Sequence, residues 1–452
     1  MSVDVIVVGG GFAGMAAAAS LANQGAQVRV FEAAPDTDPR FRGELIHPRG
    51  VRGLERLGLA PALFDRGGVA VSGFVASPGP ALAPAVLPYA EGQGPGLGID
   101  HHVMVRTMRA EVAGRHNVRI TTGQRITEVL REGHRVAGVR DAEGRSHRAE
   151  LVVVADGRQS KLRPQLGLEP EVKLLSHTIA FGVEGELPHG RLGHVFLGAP
   201  GPILAYPYGE GRIRFCVDVP LGAAKGKEAI VALLVREYAP VVPSPLREAM
   251  EASLQAEPFE GCANHSISTT ACAAPGVALV GDAGGCAHPL TASGMTNAVN
   301  DVLTLGELVG RAGPRDEVLT EYQRRRYDFI RMRELFTDAL YEVFRGQDPG
   351  SKALQAGVFD YWASSERSRR ASMDILSGEE LRLSAFVAEY TRVFGRSAAE
   401  VLKQHVTRPV AGSFALRSLA RTSLGRLEQA AERAARRIVD RNRLALHRLP
   451  RA

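Results

Sequence analysis

Cysteine is scarce in this chain of 452 residues: there are four, none in a CxxC pair or clustered with histidine at metal-ligand spacing. That argues against a disulfide framework and a zinc site, and Cys216, Cys262, Cys272 and Cys286 are expected to be buried thiols. Long apolar runs are missing too. Stretches such as Val5 to Val8 and Met15 to Ala19 stop far short of the ~20 residues that span a bilayer, so no transmembrane helix is expected. No basic leader precedes Asp4, which runs straight into a β-rich segment, so the expected location is cytoplasmic. Nor is there a basic stretch interleaved with aromatics, which argues against a nucleic-acid partner.

The formal charge of +6 is unevenly placed. From Arg408 onward eleven arginines face only Glu428, Glu432 and Asp440, which leaves the rest of the chain slightly acidic. From Ala411 to Arg443 the residues Leu416, Ala420, Leu424, Leu427, Ala431, Ala434 and Ile438 fall on one stripe at helical spacing. Two readings stay open: a basic amphipathic helix on a membrane surface, or a terminal helix docked on the body with solvated arginines.

A chain of this length implies two or three domains. Asp4 to Val8 reads as a buried strand, and Gly9-Gly10-Gly11-Phe12-Ala13-Gly14 leads from it into an Ala-rich helix, Met15 to Asn23. Gly9 permits the tight turn, Gly11 lets a pyrophosphate reach the backbone, and Gly14 brings the helix close to the sheet. The next strand, Gln27 to Phe31, ends in Glu32, an acid placed to accept hydrogen bonds from an adenosine ribose. Arg40 and Arg42 follow in a loop, as phosphate clamps or as solvated charges. His101 and His102 have no third ligand at metal spacing and are read as loop histidines; Arg106 and Arg109 lie on the helical stretch after them, with Arg106 a candidate cofactor contact.

Short strands at Val118 to Thr121, Ile126 to Leu130 and Val136 to Val139 feed the apolar run Leu151 to Ala155, which ends in Asp156-Gly157. From Val172 to Thr269 the texture changes to strands, His177 to Val183, His194 to Leu197, Ile203 to Tyr208 and Arg212 to Val219. One helix, about Lys227 to Tyr238, interrupts them. This predicts an antiparallel sheet inserted into the dinucleotide domain, with Phe181, Leu204, Tyr206 and Phe215 on a face that lines an apolar pocket or is merely half-buried. Gly281 to Asp301 then joins a buried strand, Val277 to Val280, to a helix through small residues. Helical patterns follow at Glu317 to Phe344, Glu379 to Phe394 and Ala398 to His405. The expected fold is therefore α/β. A Rossmann-like dinucleotide domain is expected over 1–72, 98–171 and 270–345, a β-sheet substrate domain over 73–97 and 172–269, and a helical region over 346–452.

Three separated motifs together resemble the flavin-dependent monooxygenases of the aromatic-hydroxylase fold: the GxGxxG turn with Glu32, Asp156-Gly157-x-x-Ser160-x-x-Arg163, and Gly281-Asp282. Two further runs, Gly43-Glu44-Leu45-Ile46-His47-Pro48 and His288-Pro289-Leu290-Thr291-x-x-Gly294-Met295-Thr296, are similar to squalene epoxidases. The resemblance covers about residues 1 to 345. The lone Trp362 excludes the Trp-x-Trp motif of halogenase relatives.

What the resemblance implies is bound FAD, with Asp156, Gly157, Gly281 and Asp282 contacting it. It implies one-oxygen transfer from O2 through a flavin C4a-hydroperoxide to a lipophilic isoprenoid or polyketide-like molecule, by epoxidation or hydroxylation, in secondary metabolism. Pro289 and the N–H groups of Gly294 and Met295 would support the flavin edge, while Tyr206, Tyr208 and His47 are pocket candidates. No second GxGxxG domain is present, so NAD(P)H would dock transiently or act through a separate flavin reductase. Three alternatives stay open: a hydroxylase of a prenylated indole or quinolone, a prenyl-reducing flavoenzyme, and a flavin-bearing lipid-binding protein.

Overall fold

The computed structural model describes residues 4–37, 42–79, 83–256, 259–269 and 271–407. Arg40 and the amphipathic stretch from Ala411 to Arg443 lie outside the described residues. The architecture is α/β: a Rossmann-like sheet, a large mostly antiparallel sheet and a set of C-terminal helices.

The first sheet has six strands in the order Ala273–Ala274, Val277–Leu279, Leu151–Val154, Val5–Val8, Val28–Phe31 and Val118–Thr121. All pairs are parallel except the first. The strands Val5–Val8 and Leu151–Val154 are buried along their whole length, as continuous Val/Ile/Leu runs between two covering layers must be. Phe12–Asn23 covers one face beside Gly294–Ala312, and small residues let these two helices touch. The Ser20 hydroxyl donates to Val302 O at 2.8 Å, and a Cβ on Gly306 would meet Ser20 Oγ at 2.1 Å. A three-stranded antiparallel sheet, Ile126–Glu132, Arg135–Asp141 and Ser146–Arg148, forms the crossover that precedes Leu151–Val154.

The second large sheet has seven strands: Glu260–Ser268, Glu171–Glu184, Arg212–Pro220, Ile203–Gly209, Gly193–Phe196, Gly73–Ser77 and Ala85–Pro88. The strands expected between Val172 and Thr269 are present, three of them longer than expected and His194 to Leu197 shifted by one residue to Gly193–Phe196, and Glu260–Ser268 joins them. Its two faces correct one expectation. Phe181 pairs with Phe215, and Phe215 with Ala205, so these three share a face; Leu204 and Tyr206 flank Ala205 and point the other way. Phe181 and Phe215 stack at 5.4 Å in a core closed by Tyr238 and Met250. Leu204 and Tyr206 belong to the core shared with Phe344, Leu354 and Trp362 of the C-terminal helices.

Other local expectations also change. Two helical segments interrupt the sheet, Lys227–Leu233 continued by a π turn to Tyr238, and Leu246–Ala256. His101 and His102 open the helix His101–Ala113, capped by Asp100, whose side chain accepts from the N–H groups of His102 and Val103. After Asp316–Arg345 come Pro349–Ser364, Glu366–Ser377 and the single long helix Leu383–Thr407. Asp348 starts Pro349–Ser364 with a capping box to Ser351. Of the four cysteines only Cys272 is buried; the others are half-buried. Among the described residues no helix is long and apolar enough to cross a membrane, and no metal-binding cluster is present.

Candidate active site

The three motifs meet at the C-terminal ends of the parallel strands, where open α/β sheets bind their ligands. Gly9 has φ +107°, and a Cβ there would meet Ala155 O at 2.4 Å; one on Gly14 would meet Gly9 O at 1.8 Å. Those two glycines are required by packing. A Cβ on Gly11 meets nothing within 4 Å, so this glycine leaves open space at the start of helix Phe12–Asn23. Phe12 is buried and Ala13 half-buried behind it. Glu32 accepts from the N–H groups of Gly10 at 2.5 Å and Ala34 at 2.8 Å. Arg109, 3.6 Å from Glu32, donates to Gly10 O at 2.8 Å, so Arg109 is the arginine brought to this turn, whereas Arg106 is exposed.

The Asp156 and Gly281 turns are bound together by arginines. Arg163 is buried and donates to Ala283 O at 3.0 Å and Arg158 O at 3.1 Å. Arg158 approaches Asp282 at 3.8 Å. Gly281 has φ +57°, and a Cβ there would press on Ala13 at 2.9 Å, which brings the first and third motifs into contact. Beneath Gly281, Arg326 holds Asp301 at 3.0 Å and donates to Gly284 O at 2.9 Å; both side chains are buried. The Asp301 carboxylate in turn accepts from the Gly281 N–H at 3.0 Å. Burial raises the Asp282 carboxyl, while Arg158, Arg326 and Arg42 draw it down.

The site fits an adenine-dinucleotide flavin on two kinds of observation. Positions 11, 157 and 294 are open, each a glycine whose added Cβ would meet nothing within 4 Å. Asp156 keeps one buried carboxylate oxygen, Oδ1, with no hydrogen-bond partner, while Oδ2 accepts from the Lys161 N–H at 3.1 Å. A buried acceptor left without a donor is costly, and a ligand hydroxyl relieves it. Gly11, Asp156, Asp282 and Gly294 are the residues that would hold FAD.

Before Gly294, Pro289–Thr291 forms a short 3-10 turn, and Gly294–Ala312 begins three residues later. Pro289 and Gly294 are exposed and Met295 half-buried, whereas Thr291 and Ser293 between them are buried. Met295 lies under Gly43, where a Cβ would be 3.4 Å from its methyl. Helix Pro48–Arg56 crosses the later helix closely, since Cβ atoms on Gly50 and Gly53 would meet Thr296 and Val299 at 2.8 and 2.3 Å. Beyond the turn opens an apolar cavity with about 1060 Å³ of empty space, its mouth included. Leu290 and Thr291 line it from the turn, Phe74 and Leu204 from the sheet, and Phe336 and Trp362 from the helices.

His47 and Tyr206 do not line this cavity; both are fully buried behind it. The Tyr206 hydroxyl lies 3.4 Å from Glu44, which forms a two-pronged ion pair with Arg214 at 2.8 Å for each contact. Tyr208 is buried with Arg214 over its ring at 4.2 Å. The pairs Asp301–Arg326, Glu44–Arg214 and Asp218–His288 were not legible in the sequence, since each joins segments that only the fold brings together.

A family model for squalene epoxidase matches residues 148–409, and one for NAD(P)-binding Rossmann-like domains matches residues 7–65. The chain is 32% identical over 411 residues to squalene epoxidase 2, mitochondrial, of Arabidopsis thaliana, covering 86% of this chain and 69% of that protein. It is also 32% identical over 382 residues to a squalene epoxidase of Aspergillus fumigatus, covering 79% of each. In fold it resembles Klebsiella pneumoniae HpxO complexed with FAD and uric acid, at TM-score 0.71, 24% identity and coverage of 82% and 96%. It also resembles p-nitrophenol 4-monooxygenase PnpA of Pseudomonas putida, at TM-score 0.72, 20% identity and coverage of 84% and 99%. With its dinucleotide turn, paired Asp-Gly and Gly-Asp turns and apolar cavity, the chain belongs to the squalene epoxidase family of FAD-dependent monooxygenases.

Proposed function

We propose that this protein epoxidises a carbon–carbon double bond of a lipophilic isoprenoid, with NAD(P)H as the electron source, directly or through a separate flavin reductase. The observation that carries the reading is the cavity: its wall is largely apolar, Leu290 and Thr291 line it from the turn, and the one carboxylate among its lining residues, Glu389, is engaged by Tyr361 and Arg392. An olefin needs no general base to accept an electrophilic oxygen, whereas a phenol-like ring benefits from one. The apolar wall also excludes water from the reacting carbon. Bound and reduced, FAD supplies the activation of O2. The chain's own part is to hold the olefin over the turn and to set donors at the flavin edge. The N–H groups of Gly294 and Met295, first in their helix and without intrahelical acceptors, are suited to meet negative charge there.

The test is O2 uptake with squalene and shorter polyenes as candidate substrates. The expected result is uptake matched by a product heavier by one oxygen atom. Turnover under nitrogen, or uptake that yields only hydrogen peroxide with every polyene, would overturn the proposal.

A further inference from the structure

The turn at the flavin edge carries backbone strain and is gripped from two sides. Ala292 has φ +47°, and no other non-glycine residue among those described has a positive φ. Such a conformation costs an L-residue about 1–2 kcal/mol and persists only where its surroundings over-determine it.

One grip comes from the segment before helix Pro48–Arg56. His47 Nε2 lies 2.8 Å from Thr291 O and Nδ1 lies 2.7 Å from the Tyr89 hydroxyl. A carbonyl only accepts, so Nε2 carries the proton and Nδ1 accepts from Tyr89. The backbone N–H of the same histidine donates to Thr296 Oγ1 at 3.1 Å, which ties it to the first turn of the following helix.

The other grip reaches through the seven-stranded sheet. The Leu290 N–H donates to His288 Nδ1 at 3.1 Å, so here too the proton sits on Nε2, which faces Asp218 at 3.1 Å and Ser176 at 3.0 Å. Asp218 is fixed in turn by Ser176, by Asn264 at 3.3 Å and by Tyr341 at 3.1 Å, and the Tyr341 ring stacks on His288 at 4.0 Å. The two histidines are 0% and 3% exposed, and neither lines the cavity. Every ring nitrogen of both is committed to the turn or to its supports.

We propose that His47 and His288 are positioning residues for the flavin: they hold residues 289–293 in one strained arrangement and so aim the Gly294 and Met295 N–H groups at the charge that reduction places on the ring. The proposal rests on FAD seating its ring at that helix N-terminus, as above. A helix N-terminus stabilises an adjacent anion only within its first turn, so a displaced turn weakens the reduced flavin more than the oxidised one.

The experiment uses the full chain reconstituted with FAD, reading the affinity for oxidised FAD by fluorescence quenching and the two-electron midpoint potential under anaerobic conditions. His47→Leu is expected to shift the preference for reduced over oxidised FAD about tenfold toward the oxidised form, ~30 mV for a two-electron couple. Tyr89→Phe, which removes one oxygen and frees the imidazole tautomer, is expected to shift it the same way by about threefold. His47→Gln keeps a donor and an acceptor at similar spacing and is expected to stay near the parent value. Equal weakening of both redox forms in His47→Leu and Tyr89→Phe would reduce the histidines to packing and overturn the proposal, as would an unchanged potential. A parent protein that binds no FAD would instead remove the functional reading on which this rests.

Discussion

Arg326 and Asp301 form a buried ion pair, Nε to Oδ2 at 3.0 Å, directly under the Gly281 turn. Removing one partner leaves the other charge buried and unpaired, which costs about 3–5 kcal/mol. Arg326→Met is therefore expected to lower unfolding free energy by that amount, checked by urea denaturation of the apoprotein, and to release FAD because the turn loses its floor.

The glycines of the first turn separate packing from ligand room. Gly14→Ala would drive a methyl into Gly9 O and is expected to destabilise the apoprotein. Gly11→Ala meets open space, so apoprotein stability should change by no more than about 0.5 kcal/mol. FAD affinity should still fall at least tenfold, as equilibrium titration would show. Equal affinity in Gly11→Ala would mean that the pyrophosphate lies elsewhere.

Asp282 stands at the mouth of the site beside Arg158. Asp282→Ala is expected to weaken FAD retention, read as the flavin-to-protein absorbance ratio after gel filtration. Full yellow occupancy in the variant would contradict a cofactor role for this residue.

Glycine accepts the left-handed conformation that Ala292 is forced into. Ala292→Gly relieves about 1 kcal/mol of strain, partly offset by a more flexible unfolded chain, so the melting temperature should hold or rise slightly. A marked fall would show that the Ala292 methyl contributes packing.

His47 and His194 are both buried, and burial pushes each down to about 4 from the ordinary 6.5. Neither His194 ring nitrogen has a hydrogen-bond partner. The folded state holds these rings neutral while the unfolded chain takes up protons near pH 6.5. Their contribution is therefore complete above that pH and is lost as pH falls toward 4, at up to about 1.4 kcal/mol per pH unit for each. His194→Phe should flatten the fall in stability between pH 6.5 and 5, measured by denaturant midpoints across that range.

Much of the fold was legible because its signals are local. The GxGxxG turn, the run Leu151 to Ala155 and the small residues after Val280 each declare a strand end within a few positions. Two helices not anticipated from the sequence also had local signals: Leu246–Ala256 has buried Leu246, Met250 and Leu254 four apart, and Asp348-Pro349 starts the helix Pro349–Ser364. The site's supports were not readable in this way. Nothing near His47 names Tyr89 or Thr291 as its partners, and nothing near Asp218 names His288. The sequence makes His47 a pocket candidate and leaves His288 without a role, whereas packing turns both into struts behind the wall.

The seven-stranded sheet takes its last two strands, Gly73–Ser77 and Ala85–Pro88, from a segment far upstream, with Gly193–Phe196 running parallel to Gly73–Ser77. Phe74, Ala76 and Leu87 of the cavity wall thus depend on a pairing with a long loop to close, the kind of contact that slows folding. Until it closes, Gly193–Phe196 is an unprotected edge rich in apolar residues, open to strands of other chains. A fragment beginning after residue 98 would keep that edge permanently bare and should aggregate rather than yield a smaller working domain.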